Sequence, residues 1–562
     1  MGNWLPTRQQ LFAWAENLPT LLKSEEAKKR MFDLRLLKRG LLTLGAIGFL
    51  LLAINPLAIN TAQADDATFT IKGYRVDGPA NFSEQQLAKI FAPYVGEGQN
   101  FESLRAAQQA LTAAYLESGF GMVNTSLPPQ ESKDGYITIT VKPLSVGKII
   151  LKGNDYHDEF NILNAMPALQ SGQTMNPSML ARQLRLNNEN PSKQASVVLT
   201  AAQDDQIDAE VTIADQHPWK AFATYDNTGT DQTGRSRVSV GFQNSNLFDR
   251  DQVLTAQYTS SPNNYNTVSI WGLGYQIPIY AWAHDINFYA AYSDVDSGTL
   301  NNLLNISSKG YVYGVRYQLN FANRGLYKDK LAFGLEYRDL QPSETFFGSE
   351  LAFPLDLHPF TLSYTGSYTD PGKLDANFYL AALHNIPGGS IGQQQDFTLN
   401  RLGATAEYKI LRAGGTLIKV LPAGWYARLQ VSGQYTNDLL VNAEQFGIGG
   451  EDSIRGFEER EVSNDKGLQL QAELYTLDWY ADMPSSKLSA RGVAFFDAGR
   501  VWRNDPLPGE QQGENISSAG LGVRLGFGNH ASLKLDYAHV LAGTSVTKVG
   551  SDKLHVLLVL SY

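Results

Sequence analysis

Cysteine is absent from all 562 residues. That excludes a disulfide framework, a thiolate metal site and a cysteine nucleophile together. Charge is scarce too: Asp, Glu, Lys and Arg make up 18% of the chain, which is globular or membrane composition rather than disorder. The formal net charge of −10 speaks against nucleic acid as a partner. No run beyond Ile54 is apolar enough for a helical span, so any later membrane segment must be a closed barrel. Catalytic signatures are missing as well. There is no phosphate-binding Gly-rich loop and no His-Glu-x-x-His, and the 8 histidines are scattered without metal-ligand spacing. These absences predict no catalytic residue, no cofactor and no metal site, and hence not an enzyme.

What is present is unevenly spread. Of the 61 aromatic residues, 16 precede Trp219 and 45 follow from it onward. A boundary therefore falls near His217-Pro218-Trp219. At the front, Lys28, Lys29, Arg30, Arg35, Lys38 and Arg39 precede the apolar run from Gly40 to Ile54, and Ala62-Gln63-Ala64 follows it. Basic flank, apolar run and small-x-small site predict an extended signal peptide over 1–64, cleaved after Ala64. Export without cysteine fits a bacterial envelope protein.

Residues 67–143 and 144–216 read as two related α/β modules. Phe69 to Val76 alternates as a strand; Ser83 and Gln86 form a capping box for a short helix. Leu104, Ala107, Leu111, Ala114 and Tyr115 recur at helical spacing over 101–118, and strands follow near 122–127 and 136–141. The pattern returns more loosely with a strand at 146–153, a helix at 177–186 and strands at 195–201 and 206–213. The order, strand-helix-helix-strand-strand, resembles a POTRA domain, in tandem. Such sheets have edges able to accept an extended chain as an added strand.

From Trp219 the period is two. Leu468, Leu470, Ala472 and Leu474 alternate with Gln469, Gln471 and Glu473; Leu521, Val523, Leu525 and Phe527 alternate with glycines and Arg524. Segments of about ten residues with Tyr and Phe near their ends are the outer-membrane barrel pattern. Sixteen such segments are predicted over 219–562, beginning near Trp219, Ser236, Asp251, Tyr265, Ala283, Lys309, Lys328, His358, Gly372, Phe397, Gly424, Gly467, Lys487, Ile516, His530 and Lys553. The fold class is thus mainly β: a 16-stranded antiparallel transmembrane barrel behind two small α/β domains. The last segment puts Leu554, Val556, Leu558, Leu560 and Tyr562 on one face, and a terminal aromatic there looks like a signal for outer-membrane insertion. The other face carries Arg, Lys, Asp, Glu and Gln, so a wet, polar lumen is expected.

With the modules in the periplasm, the connection between the eleventh and twelfth segments is extracellular and about 30 residues long, a length that is usually functional. It contains Ser453-Ile454-Arg455-Gly456-Phe457 after Gly449-Gly450. This looks like the (V/I)RG(F/Y) motif of the outer-membrane insertase and secretion superfamily. With two POTRA-like domains and sixteen strands, the chain is similar to the two-partner secretion transporter (TpsB) family, which includes haemolysin and filamentous-haemagglutinin exporters. Asp226-Asn227-Thr228-Gly229 and Asn246 to Asp251 also look like that family, as does Phe495-Phe496-Asp497-Ala498-Gly499, its F-x-D-x-G motif. Lys487, Ser489 and Arg491 share parity with Asp497, so Asp497 faces the lumen. The resemblance implies that Ile454, Arg455, Gly456 and Phe457 fold inward and that Arg455 meets the segment of Phe495, Asp497 and Gly499. Many members carry a plug helix before the first POTRA domain; cleavage after Ala64 leaves only Asp65 to Thr68 for one, which is too short.

The resemblance implies an outer-membrane transporter that takes an unfolded secreted exoprotein of the haemolysin or adhesin type from periplasm to cell surface. Its partners are then that exoprotein, on the POTRA domains and in the lumen, and outer-membrane lipid. Two other readings stay open at this point: a barrel-assembly insertase of the same superfamily, and a passive porin.

Overall fold

The computed structural model describes residues 68–562, apart from 132, 133, 232, 267, 295–297, 301–303, 307–308, 342–344, 347–348, 351–352 and 484–486. The leader and its cleavage site at Ala64 lie outside the described residues. The α/β region and the barrel form separate compact units.

In the first module, Gly73–Asp77 runs parallel to Tyr136–Pro143, which pairs antiparallel with Val123–Ser126. Helix Glu84–Phe91 starts at the Ser83–Gln86 capping box. Helix Phe101–Glu117 starts at Asn100 and lays Ala107, Leu111 and Tyr115 on Ile139 and Val141. The second module repeats the sheet: Ser145–Lys152 parallel to Gln206–Asp215, and Lys193–Ala201 antiparallel to it. Besides helix Pro177–Asn187 it has a second helix, Glu159–Asn164, capped by Asp158. Sequence periodicity missed this helix because six residues span less than two turns.

The barrel closes with sixteen antiparallel strands. They are β1 Trp219–Asp226, β2 Arg237–Leu247, β3 Gln252–Ser260, β4 Ser269–Ile279, β5 His284–Ser293, β6 Gly310–Asn320, β7 Tyr327–Leu340 and β8 Pro359–Asp370. They continue as β9 Leu374–Asn385, β10 Lys409–Val420, β11 Tyr426–Tyr435, β12 Lys466–Tyr475, β13 Leu488–Trp502, β14 Gly513–Phe527, β15 Ala531–Ala542 and β16 Asp552–Ser561. A short piece, Leu355–Leu357, extends β8 along β7 before His358.

The expected start of the tenth strand near Phe397 is wrong. Gln394–Asn400 is a helix, and β10 begins at Lys409. The alternation around Phe397 imitates a strand, but the Asp396 carboxylate accepts the Gln393 N–H at 2.8 Å and closes a helical turn. Phe397 is wholly buried against Tyr408, Leu383 and Leu440, so burial within the loop, not a membrane wall, explains its apolar character.

The seam between β16 and β1 is short, running from Leu557 opposite Asp226 to Ser561 opposite Phe222. Past the end of β1, the Asn227 side chain continues the ladder. Its amide donates to the Leu554 carbonyl at 2.6 Å and its oxygen accepts the Val556 N–H at 2.9 Å. Tyr562 follows β16 and is 84% exposed on the outer wall, where its backbone exchanges two hydrogen bonds with Ala221.

Candidate functional site: a loop anchored in the lumen

The connection from β11 to β12 folds into the barrel. Phe446–Ile448 pairs with Val462–Asn464 as a small hairpin whose tip carries Ile454 to Phe457. Ile454 and Phe457 are completely buried, packed with Ile448 and Val462 of the hairpin and with Val501, Ile516 and Val540 of β13, β14 and β15. Apolar burial thus seats the tip against one side of the wall.

Arg455 lies between these two anchors and has no exposed surface. Its Nε donates to Asp497 Oδ2 at 2.7 Å and its Nη2 to Asp497 Oδ1 at 2.8 Å, a two-bond fork. The Arg455 backbone N–H donates to the same carboxylate at 3.1 Å. Nη1 reaches two further acids, Glu473 on β12 at 2.8 Å and Asp536 on β15 at 3.2 Å. The guanidinium lies 3.5 Å from the centroid of the Phe495 ring. Every polar edge and one face of the group are therefore engaged.

The glycines of both motifs have steric reasons. Gly456 has φ +97°, a conformation that suits glycine, and a side chain there would press on Val540 and Ala538. Its N–H donates to His555 Nε2 on β16 at 2.9 Å. Gly499 is where Ile454 enters: a Cβ on Gly499 would lie 2.5 Å from Ile454 Cδ1. Phe457 ends the turn, and its carbonyl accepts from Lys553 Nζ at 3.0 Å.

The expectation of a wet lumen fails at this point. Arg455, Asp497 and Asp536 are each fully buried, because the loop itself fills the space that the strand pattern leaves open. Sequence reasoning paired Arg455 with one acid and missed Glu473, Asp536 and the cations that balance them. Glu473 also receives Arg428 at 2.7 Å; Asp536 receives Arg524 at 2.6 and 3.0 Å, with Lys534 at 3.5 Å. Their lumen-facing parity was legible. Nothing in parity says which of many lumen charges converge on one arginine. Asp497 differs from the other two acids: among the described residues its only ion-pair partner is Arg455.

A second polar knot holds the base of the loop and carried no motif. Glu444 receives Arg338 and Arg412, while Asp465 receives both terminal nitrogens of Arg401, the Leu440 N–H at 2.9 Å and the Asn504 N–H at 2.9 Å. Among the described residues no group of acids and histidines fits a metal ion.

A closed sixteen-strand barrel, a POTRA-like α/β region and an inward loop anchored on F-x-D-x-G define an outer-membrane barrel of the secretion and assembly type. The family model described as haemolysin secretion/activation protein ShlB/FhaC/HecB matches residues 205–525, and the ShlB-type POTRA domain model matches residues 69–143. The chain belongs to the ShlB/FhaC/HecB family, and is thus an outer-membrane transporter of two-partner secretion. Among curated proteins it is 20% identical over 450 residues to the heme/hemopexin transporter protein HuxB of Haemophilus influenzae, covering 78% of each chain. It is 21% identical over 471 residues to the outer membrane transporter CdiB of Escherichia coli, covering 80% of this chain and 75% of that one. The solved structure of CdiB from Escherichia coli superposes with a TM-score of 0.72 at 16% identity, covering 98% of both chains, and so shares the fold.

Proposed function

We propose that this transporter exports a partner exoprotein of the haemolysin or adhesin type, held unfolded by the POTRA modules and passed through the barrel lumen. We further propose that Arg455 is the fixed point of the loop that lines the passage. The observation carrying this reading is the complete burial of Arg455 on Asp497, Glu473 and Asp536. Three acids and a ring on one guanidinium fix the loop's position in the lumen, which an ordinary solvated loop does not need. No nucleotide-binding loop is present in the sequence, so direction comes from cargo that folds outside and cannot return.

Capture rests on an open sheet edge. In strand Lys193–Ala201 the even-numbered residues bond inward, as the flanking bonds Gln216 N–H to Ser192 O and Ala202 N–H to Gln206 O indicate. Odd-numbered backbone groups face outward. Ala195 is covered by the Asn188 side chain at 2.7 and 2.9 Å. Among the described residues no hydrogen-bond partner is found for the outward groups of Val197, Leu199 and Ala201, so an extended chain can add there. In the first module the matching strand, Val123–Ser126, is only four residues long and its Thr125 carbonyl already accepts from Gln108.

Deletion of the gene tests the export role. The exoprotein is expected to lose its signal peptide yet stay in the periplasm, with other barrel proteins at normal levels. A general fall in barrel proteins supports an insertase instead, and normal surface delivery refutes export. Leu199→Pro tests capture. It removes an outward N–H without touching the inward ladder, and is expected to weaken binding of the unfolded partner.

A further inference from the structure

The outer wall carries unpaired positive charge at its extracellular end. Even-numbered residues of β12 and β13 face lipid, as the half-exposed Leu468 and Phe496 show. Lys466 opens β12, and Arg500 lies two residues from the end of β13, both at the rim where the long loop departs. Register sets Lys466 opposite Trp502 and Leu468 opposite Arg500. The two cations are therefore diagonal neighbours, about 7–8 Å apart along the backbone.

Each cation stands beside an aromatic ring. Lys466 Nζ is 5.1 Å from the Tyr435 centroid and the Arg500 guanidinium is 5.2 Å from that of Trp502. Among the described residues neither forms an ion pair. The lipid-facing row through Arg500 continues to Leu468, Gly433 and Ala413 on one side and Asn515 on the other, with no carboxylate. Single lysines and arginines at a membrane rim are ordinary snorkelling anchors. Two adjacent ones without an acid repel each other, and the neighbouring low-dielectric hydrocarbon screens them poorly. A bound anion relieves that repulsion. Gly433 and Ala413 carry little or no side chain and, with Leu468, leave a shallow apolar bed in the same row as Arg500 and one row deeper into the bilayer than Lys466.

We infer that Lys466 and Arg500 form a binding site for the phosphoryl group of an extracellular-leaflet lipid, a phosphorylated glycolipid of the lipid A type. Arg500 supplies the two-bond fork and Lys466 the point charge. Tyr435 and Trp502 hold both side chains at headgroup depth, and acyl chains lie over Leu468, Gly433 and Ala413. The lipid-facing placement and the apolar bed select a lipid over a soluble anion.

Native mass spectrometry of the full-length protein in detergent tests this, with bisphosphorylated lipid A, its dephosphorylated form and inorganic phosphate as probes. Lys466→Gln with Arg500→Gln is expected to lower retention of bisphosphorylated lipid A about thirtyfold, from two charges near a membrane surface. Arg500→Gln alone should lower it about fivefold, and serves if the double variant fails to give a heat-modifiable barrel. Lys419→Gln, on the same wall at the periplasmic end of β10, should leave it unchanged. Wild-type protein should retain dephosphorylated lipid A as weakly as the double variant retains the phosphorylated form. Equal retention by wild type and variants, or equal retention of the two lipids, overturns the site. So does occupancy by inorganic phosphate alone.

Discussion

Replacing Arg455 by alanine does more than delete bonds. Glu473 keeps Arg428 and Arg524 nearby, and Asp536 keeps Arg524 and Lys534. Asp497 keeps no ion-pair partner among the described residues, and its side chain is fully buried. Breaking a buried pair by removing one partner costs about 3–5 kcal/mol, so Arg455→Ala should raise the released population of the loop by at least about a hundredfold. Removing Asp497 as well takes away the stranded charge. Arg455→Ala with Asp497→Asn is therefore expected to hold its loop better than Arg455→Ala alone. Arg455→Lys keeps charge balance but loses the fork and the ring contact, a loss of about 1.5–3 kcal/mol. The absence of cysteine makes the assay direct. Ser463→Cys on the hairpin gives one thiol, and its rate of labelling from outside the cell by an impermeant maleimide reports loop release. The order expected is Arg455→Ala fastest, the double variant and Arg455→Lys intermediate, and the parent slowest. The sixteen-strand ladder should keep all of them heat-modifiable on gels. A double variant that labels as fast as or faster than Arg455→Ala refutes the stranded-charge argument. Unchanged labelling in Arg455→Ala refutes the anchor itself.

Three further outcomes follow from the geometry. Gly499→Val should expel Ile454, since even a Cβ there lies 2.5 Å from its terminal carbon; loop labelling should rise with secretion lost and the barrel intact. Asn227→Asp removes the donor to the Leu554 carbonyl and sets a charge against it, so the seam should open at lower temperature in gel-shift melting, by the worth of one such bond, about 1–3 kcal/mol. Asp215 is buried, which raises its pKa, but the N–H groups of Tyr156, Asp155 and His157 together with the His157 ring more than offset this and hold it below the usual carboxylate range. A depressed folded pKa gives stability that is present above the unfolded value, about 3.9, and lost as pH falls through the folded value. Hydrogen exchange over residues 144–216 of the intact protein should therefore stay slow at neutral pH and rise only in strong acid, while Asp215→Asn should exchange faster already at pH 7.

The division between sequence and tertiary structure follows the range of the forces involved. Strand alternation and capping boxes are local, so the barrel strands, the helix at Glu84–Phe91 and the inward parity of Asp497 were legible from residue order. The helix at Gln394–Asn400 was misread because Phe397 is apolar for a tertiary reason, its burial under Leu440 and Tyr408. Glu159–Asn164 was missed because a short helix leaves no period to read. The motif resemblance brought Arg455 and Asp497 to notice, but pairing them is a contact across 42 residues. The convergence of Glu473, Asp536 and the Phe495 ring on Arg455 depends on how three strands and one loop meet in space. Dryness was likewise beyond the sequence. Polar side chains facing a lumen mean water only where the lumen is open, and here the chain's own loop covers the charges of β12, β13 and β15, so that only the folded barrel turns a surface-like row of charges into a buried ionic core.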